Sequence, residues 1–222
     1  HIDALAHMTC VGCKKEDLLK VCKELADNNV NHILALRGDR PKDMTDEQFN
    51  ERDFAYASDM ISFLKEHTDF RLAGACYPEK HFESFSMESD LNNLKIKQDS
   101  GASFFITQMF FDNNLLYNFL YKIREAGITV PVVAGIMPIT NANQVDRAIK
   151  LSGSHMPQRF KSLVDKFGSD PAAMKQAGIA YATDQIIDLF ANNITNVHVY
   201  SMNKSDVARK IQENLSDILG KA

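Results

Sequence analysis

The chain has 222 residues, 45% of them hydrophobic and 24% charged, with a formal net charge of −4. That length supports one large buried core, and the even spread of Leu, Ile, Val and Phe excludes intrinsic disorder and collagen-like repeats. The apolar runs are too short for a membrane-spanning helix, and Lys and Arg scattered among Asp and Glu argue against a dedicated nucleic-acid binder.

In chain order, apolar runs of strand length at residues 4–8, 33–36, 72–76, 104–106, 130–137 and 197–200 alternate with segments of helical periodicity. Leu18, Val21, Cys22 and Leu25 form one expected helix face, Ala57, Met60, Ile61 and Leu64 a second, and Leu116, Phe119, Leu120 and Ile123 a third. Punctuation agrees: Asn28-Asn29, Gly101 and Gly127 follow helical stretches, Thr45 with Gln48 has capping-box spacing, and Asp112 precedes a helix. Residues 156–193 exceed one crossover helix and hold Pro157, Gly168, Pro171 and Gly178 as breaks, which predicts two or three helices.

Strands alternating with helices predict an α/β chain with a parallel sheet. An open doubly wound sheet ordinarily carries a glycine-rich first turn, and neither G-x-G-x-x-G nor G-x-x-x-x-G-K-[ST] occurs. The other candidate is an eight-stranded barrel, of which six βα units are countable. Residues 2–9 already read as a buried segment, so the expectation is a single domain over 1–222 that is N-terminally incomplete.

Polar and ionisable residues follow the apolar runs. His7 and Thr9 end the first, Arg37-Gly38-Asp39 the second, Tyr77-Pro78-Glu79 with His81 the third, Gln108 the fourth, and Tyr200 with Asn203 and Lys204 the last. The carboxyl ends of parallel strands are where barrels and open α/β sheets bind ligands. Strand ends are also polar simply because they meet water, but several in register point to a site.

Other features compete for attention. Cys10-x-x-Cys13 resembles a redox motif, yet no second cysteine pair or H-x-x-x-H accompanies it. The four cysteines, Cys10, Cys13, Cys22 and Cys76, suit a reducing, cytoplasmic setting. His1-x-Asp3 with His7 would suit a metal-dependent hydrolase, but no carboxylate–histidine set completes it, and no metal is expected. His32, His67 and His155 read as solvated helix or loop ends, Phe104-Phe105 and Phe110-Phe111 as core, and Asp43, Asp46, Glu47, Glu51 and Asp53 as a solvated face.

The order Leu36-Arg37-Gly38-Asp39, Tyr56-Ala57-Ser58-Asp59, Tyr77-Pro78-Glu79-x-His81, Asp90-x-x-Asn93-Leu94-Lys95, Ile106-Thr107-Gln108-x-Phe110-Phe111-Asp112 and Gly135-Ile136-x-Pro138 resembles the methylenetetrahydrofolate reductase family, in its short bacterial form. The resemblance covers essentially the whole chain. It implies a (β/α)8 TIM barrel that holds FAD at its strand ends and reduces 5,10-methylenetetrahydrofolate to 5-methyltetrahydrofolate with electrons from NAD(P)H. Carried over residue by residue, it places His7, Arg37, Gly38, Asp39, Ala57, Tyr77, His81, Asp90, Asn93 and Lys97 at the flavin. It places Asp39, Gln108, Gln144, Tyr200 and Lys204 at the folate, with Asp39 and Gln108 as the catalytic pair.

The donor chemistry suits this assignment: Arg37, His81 and Lys97 for a diphosphate, Asp90 and Asn93 for ribose or adenine edges, Gln108 for a pterin or carboxamide. Three positions depart from the family pattern. Ile96 replaces a second basic residue beside Lys97, Lys204 replaces an Arg, and Ala148 replaces an aromatic that would stack on folate. The expected assembly is a homo-oligomer with no nucleic-acid or membrane partner. The competing readings are the metal hydrolase and a non-catalytic nucleotide-binding barrel subunit.

Overall fold

The computed structural model describes residues 2–220, with only the backbone of Asn50, Arg147 and Leu151. Its strands are β1 (Leu5–Thr9), β2 (His32–Leu36), β3 (Arg71–Cys76), β4 (Phe104–Thr107), β5 (Val132–Ile136) and β6 (Val197–Val199). The helices are α1 (Lys15–Asp27), α2 (Asp46–Asn50), α3 (Ala57–His67), α4 (Met87–Asp99), α5 (Asn113–Glu125), α6 (Asn143–Ser152), α7 (Gln158–Phe167), α8 (Pro171–Ala191), α9 (Ser205–Asn214) and α10 (Ser216–Leu219). The hydrogen-bonded strand order is β1-β2-β3-β4-β5-β6, so the predicted parallel α/β sheet is present with its six strands in chain order. The chain divides into two compact units.

The first unit comprises residues 1–76, Leu91–Ile106 and Ala126–Pro131. β1 pairs with β2 from Leu5↔His32 to Thr9↔Leu36, and β2 pairs with β3 from His32↔Arg71 to Ala35↔Gly74. The expected face of α3 is buried in full, through Ala57, Met60, Ile61 and Leu64, and α3 packs on β2 and β3. On α1 the face is narrower than expected: Leu18 and Cys22 are buried, but Val21 is 37% exposed at the edge of the stripe. His32, expected at a loop end, opens β2 and is half-buried there, because the strand begins one residue before its apolar run.

The acidic run is more than a solvated face. Thr45 and Gln48 complete the predicted capping box of α2, and Arg40 pairs with Asp46 at 2.6 Å. Asp53 reaches across the chain to α1, where its carboxylate accepts from Lys15 N at 2.9 Å and Lys14 Nζ at 3.4 Å. The residue at the N-cap of α1, Lys14, offers no capping acceptor, so Asp53 supplies one from outside the helix. Those bonds hold its carboxyl below the usual range.

The second unit comprises Tyr77–Asp90, Thr107–Glu125 and Val132–Ala222. Its core joins Phe111, Met137, Ile139, Ala148, Met156, Phe160, Met174 and Tyr181. Residues 156–193 form two helices, α7 and α8, with the break at Gly168; Gly178 lies buried in mid-helix against Ile139. The α5–α8 contact carries a polar network: Asp188 accepts from Tyr117 Oη at 2.6 Å and Asn113 Nδ2 at 2.7 Å, while Tyr181 Oη donates to the Phe111 carbonyl at 2.6 Å. The run at 130–137 narrows to Val132–Ile136; Pro131, just before the strand, has no N–H to give, though its carbonyl accepts from Phe105 N at 2.9 Å.

Candidate functional site

In the first unit the ends of β1 and β2 are tied beyond the strands themselves. Cys10 N donates to the Leu36 carbonyl at 2.9 Å and Val11 N to the Arg37 carbonyl at 3.0 Å. Arg37-Gly38-Asp39 therefore leaves the sheet directly beside Thr9. Gly38 has φ +81°, and a Cβ there would lie 2.9 Å from the Thr9 Cβ, so only glycine lets the backbone pass at this point. His7 and Asp39 are exposed, and Arg37 is half-buried.

Lys97, on the last turn of α4, lays its stem over Gly74 and donates from Nζ to the Ala75 carbonyl at 2.8 Å, which brings its ammonium to the end of β3. Ala57 is buried in the first turn of α3, while Asp59 accepts from Ala55 N and Tyr56 N. Asn93 is exposed on α4.

In the second unit Tyr77 and His81 pack edge to face with centroids 4.6 Å apart, and Phe82 stacks on His81 at 4.6 Å. Glu83 N donates to His81 Nδ1 at 3.1 Å, an arrangement that leaves the neutral ring's proton on Nε2. Asp90, expected at a ribose, braces this loop: its carboxylate accepts from His81 N at 3.0 Å and Ser84 Oγ at 2.8 Å.

At the end of β4, Gln108 Oε1 accepts from Met109 N at 2.8 Å, so its NH2 is the end that can meet a ligand. Gln144 and Lys204 converge on one residue. Gln144 Oε1 accepts from Thr140 N at 3.1 Å, and Lys204 Nζ donates to Thr140 Oγ1 at 2.9 Å. Tyr200, expected at the folate, directs its hydroxyl to the Thr107 carbonyl at 2.7 Å, which makes it a brace for the Gln108 segment. Ala148 is buried in the core beneath α6, an interior position rather than a ligand-facing one.

The cysteines do not form a redox site. All four are free, and burial pushes the Cys10 thiol up to about 12, away from a reactive thiolate. His1 lies outside the described residues, and among those described no cluster of His, Cys, Asp and Glu could hold a metal ion. No described helix is long and apolar enough to cross a membrane. Glu79, which sequence reasoning gave no role, is the one described side chain with a buried oxygen lacking a partner. Its position inside Tyr77-Pro78-Glu79-x-His81 was the only signal available.

The family described as methylenetetrahydrofolate reductase matches residues 1–216. The 5,10-methylenetetrahydrofolate reductase of Pectobacterium carotovorum is 32% identical over 214 residues, covering 96% of this chain and 70% of its own length. That of Escherichia coli K12 has the same identity and coverage. Methylenetetrahydrofolate reductase 1 of Schizosaccharomyces pombe is 33% identical over 216 residues, covering 96% of this chain and 36% of its own length. The chain belongs to the methylenetetrahydrofolate reductase family, a family of oxidoreductases.

Proposed function

We propose that this chain reduces 5,10-methylenetetrahydrofolate to 5-methyltetrahydrofolate with electrons from NAD(P)H, in a ping-pong reaction that uses FAD. The family match over residues 1–216 carries the reading. The proposal extends to residues 1–222 serving as one catalytic domain, built from six βα units of the kind found in an eight-unit barrel and working as a cytoplasmic homo-oligomer.

The donor sets fit the cofactor. The donors proposed for the diphosphate are the Lys97 ammonium at the end of β3 and the Arg37 guanidinium beside Gly38. His81, whose Nδ1 accepts from Glu83 N, and Tyr77, packed edge to face on its ring, complete the set proposed for the cofactor. FAD, when bound, supplies the hydride relay that separates the two half-reactions.

The remaining work falls to side chains of this chain. Asp39 holds the pterin and stabilises the cationic iminium form of the substrate by its negative charge. Gln108, its oxygen fixed by Met109 N, donates from its NH2 to a pterin or carboxamide oxygen. Lys204, anchored through one of its three donors to Thr140, meets the glutamate carboxylates of folate with the others.

The test is the full chain reconstituted with FAD under anaerobic conditions. A bound flavin spectrum that bleaches with NAD(P)H and returns on addition of methylenetetrahydrofolate is the expected result. A colourless protein, or a reduced flavin that the folate cannot reoxidise, overturns the reading.

A further inference from the structure

Glu79 follows β3 in the same short segment as Tyr77 and His81, and its two carboxylate oxygens have different fates. Oε2 accepts from the backbone N–H of His155 at 2.7 Å, while Oε1 is buried without a partner. The residues it grips form a tight turn after α6. Gly153 adopts φ +67° at the helix end, Ser152 Oγ donates to the Ala148 carbonyl at 2.7 Å, and Ser154 N donates to Ser152 Oγ at 3.1 Å. Ser154, itself buried, then donates from Oγ to the Met109 carbonyl at 2.7 Å. Met109 N in turn holds the Gln108 side chain. A chain of hydrogen bonds thus runs from the Tyr77–His81 segment through the turn at 152–155 to Gln108, within one unit of the molecule.

We propose that Glu79 is a positioning residue: with Ser154 it clamps the turn at 152–155 between the segment carrying Tyr77 and His81 and the segment carrying Gln108, so that these two sets of groups move together. The functional meaning of the clamp rests on the assignment of Tyr77 and His81 to the flavin and Gln108 to the folate. The mechanical coupling does not. Burial raises the Glu79 carboxyl above its ordinary range; the bond from His155 N and the His155 imidazole oppose this, and the Asp112 carboxylate adds to it. A carboxylate kept in such surroundings, with one oxygen unsatisfied, is held there by what the other oxygen secures.

The experiment is hydrogen exchange followed by mass spectrometry on the full chain. Glu79→Ala is expected to lower amide protection together in residues 79–84, 108–111 and 152–156, by about tenfold, the equivalent of one lost hydrogen bond to a charged group. Glu79→Gln keeps an oxygen for His155 N and is expected to restore most of that protection. Ser154→Ala, which leaves Glu79 intact, is expected to give the same three-segment pattern, and the double variant to be no worse than either single one. Loss confined to the residues flanking each substitution, or additive losses in the double variant, overturns the clamp. Failure of the wild-type chain to take up FAD or reduce folate would sink the proposed function, yet the exchange pattern would still decide the coupling.

Discussion

The Tyr200 hydroxyl donates to the Thr107 carbonyl at 2.7 Å, and the tyrosine ring lies on the bare face of Gly135. The same threonine accepts from Gly135 N through Oγ1 at 2.8 Å, so the end of β4 is held by two bonds just before Gln108. A Cβ at Gly135 would collide with the Thr107 carbonyl oxygen and lie 2.7 Å from Tyr200 Cε2. Gly135→Ala is therefore expected to destabilise the fold by about 1–3 kcal/mol, as overpacking does, read by urea unfolding. Tyr200→Phe removes only the hydroxyl and is expected to cost about 1 kcal/mol. In the same variant the folate KM is expected to rise with flavin reduction unaltered.

Asp39→Asn keeps the shape of the side chain and removes its charge. Flavin reduction by NAD(P)H is expected to survive, while electron transfer to the folate slows by about 10²-fold, on the scale of losing one electrostatic stabiliser. Stopped-flow measurement of each half-reaction checks this, and equal slowing of both would remove Asp39 from the folate step.

Lys97→Ala takes away both the donor to the Ala75 carbonyl and the cation proposed for the diphosphate. FAD affinity is expected to fall by about 10- to 100-fold, corresponding to ~1.5–3 kcal/mol for one charge-assisted hydrogen bond. Fluorescence titration of the apoprotein with FAD measures it; an unchanged dissociation constant would place the diphosphate elsewhere.

The buried Cys10 thiol, pushed up to about 12 from an ordinary 9.0, makes an alkaline prediction. The folded chain keeps this proton while the unfolded chain releases it. The contribution of Cys10 to stability is thus whole below pH 9 and is lost as pH rises from there toward 12. Cys10→Ser, whose hydroxyl does not ionise in that range, is expected to flatten this part of the stability profile, measured by thermal unfolding across alkaline pH.

Much of this molecule was legible from one-dimensional patterning. The six apolar runs and the face of α3 were read correctly because burial in a sheet or along a helix repeats at fixed intervals. Arg37-Gly38-Asp39 and Gln108 stand out in the sequence because they follow such runs. What stayed hidden depends on long-range partners. Asp53 looked like one charge among several, and only the fold brings it to the start of α1. Asp90 and Tyr200 also bond to His81 N, Ser84 and Thr107, contacts that only the fold creates. Glu79 pairs with a backbone N–H 76 residues away, and no spacing rule could announce that.

Each strand of the sheet has the next strand in the chain as its neighbour. During synthesis, then, every newly emerged βα unit finds its pairing edge already made, and no strand must wait for a distant stretch to be translated. Parallel sheets whose neighbours are far apart in sequence must close long loops before any bond rewards them, which slows folding and leaves strand edges open to other chains. Here the growing edge is covered by the next strand in the chain, so the interval in which it could recruit a second nascent chain is about the time needed to translate the connecting helices and that strand, longest between β5 and β6, where α6, α7 and α8 intervene.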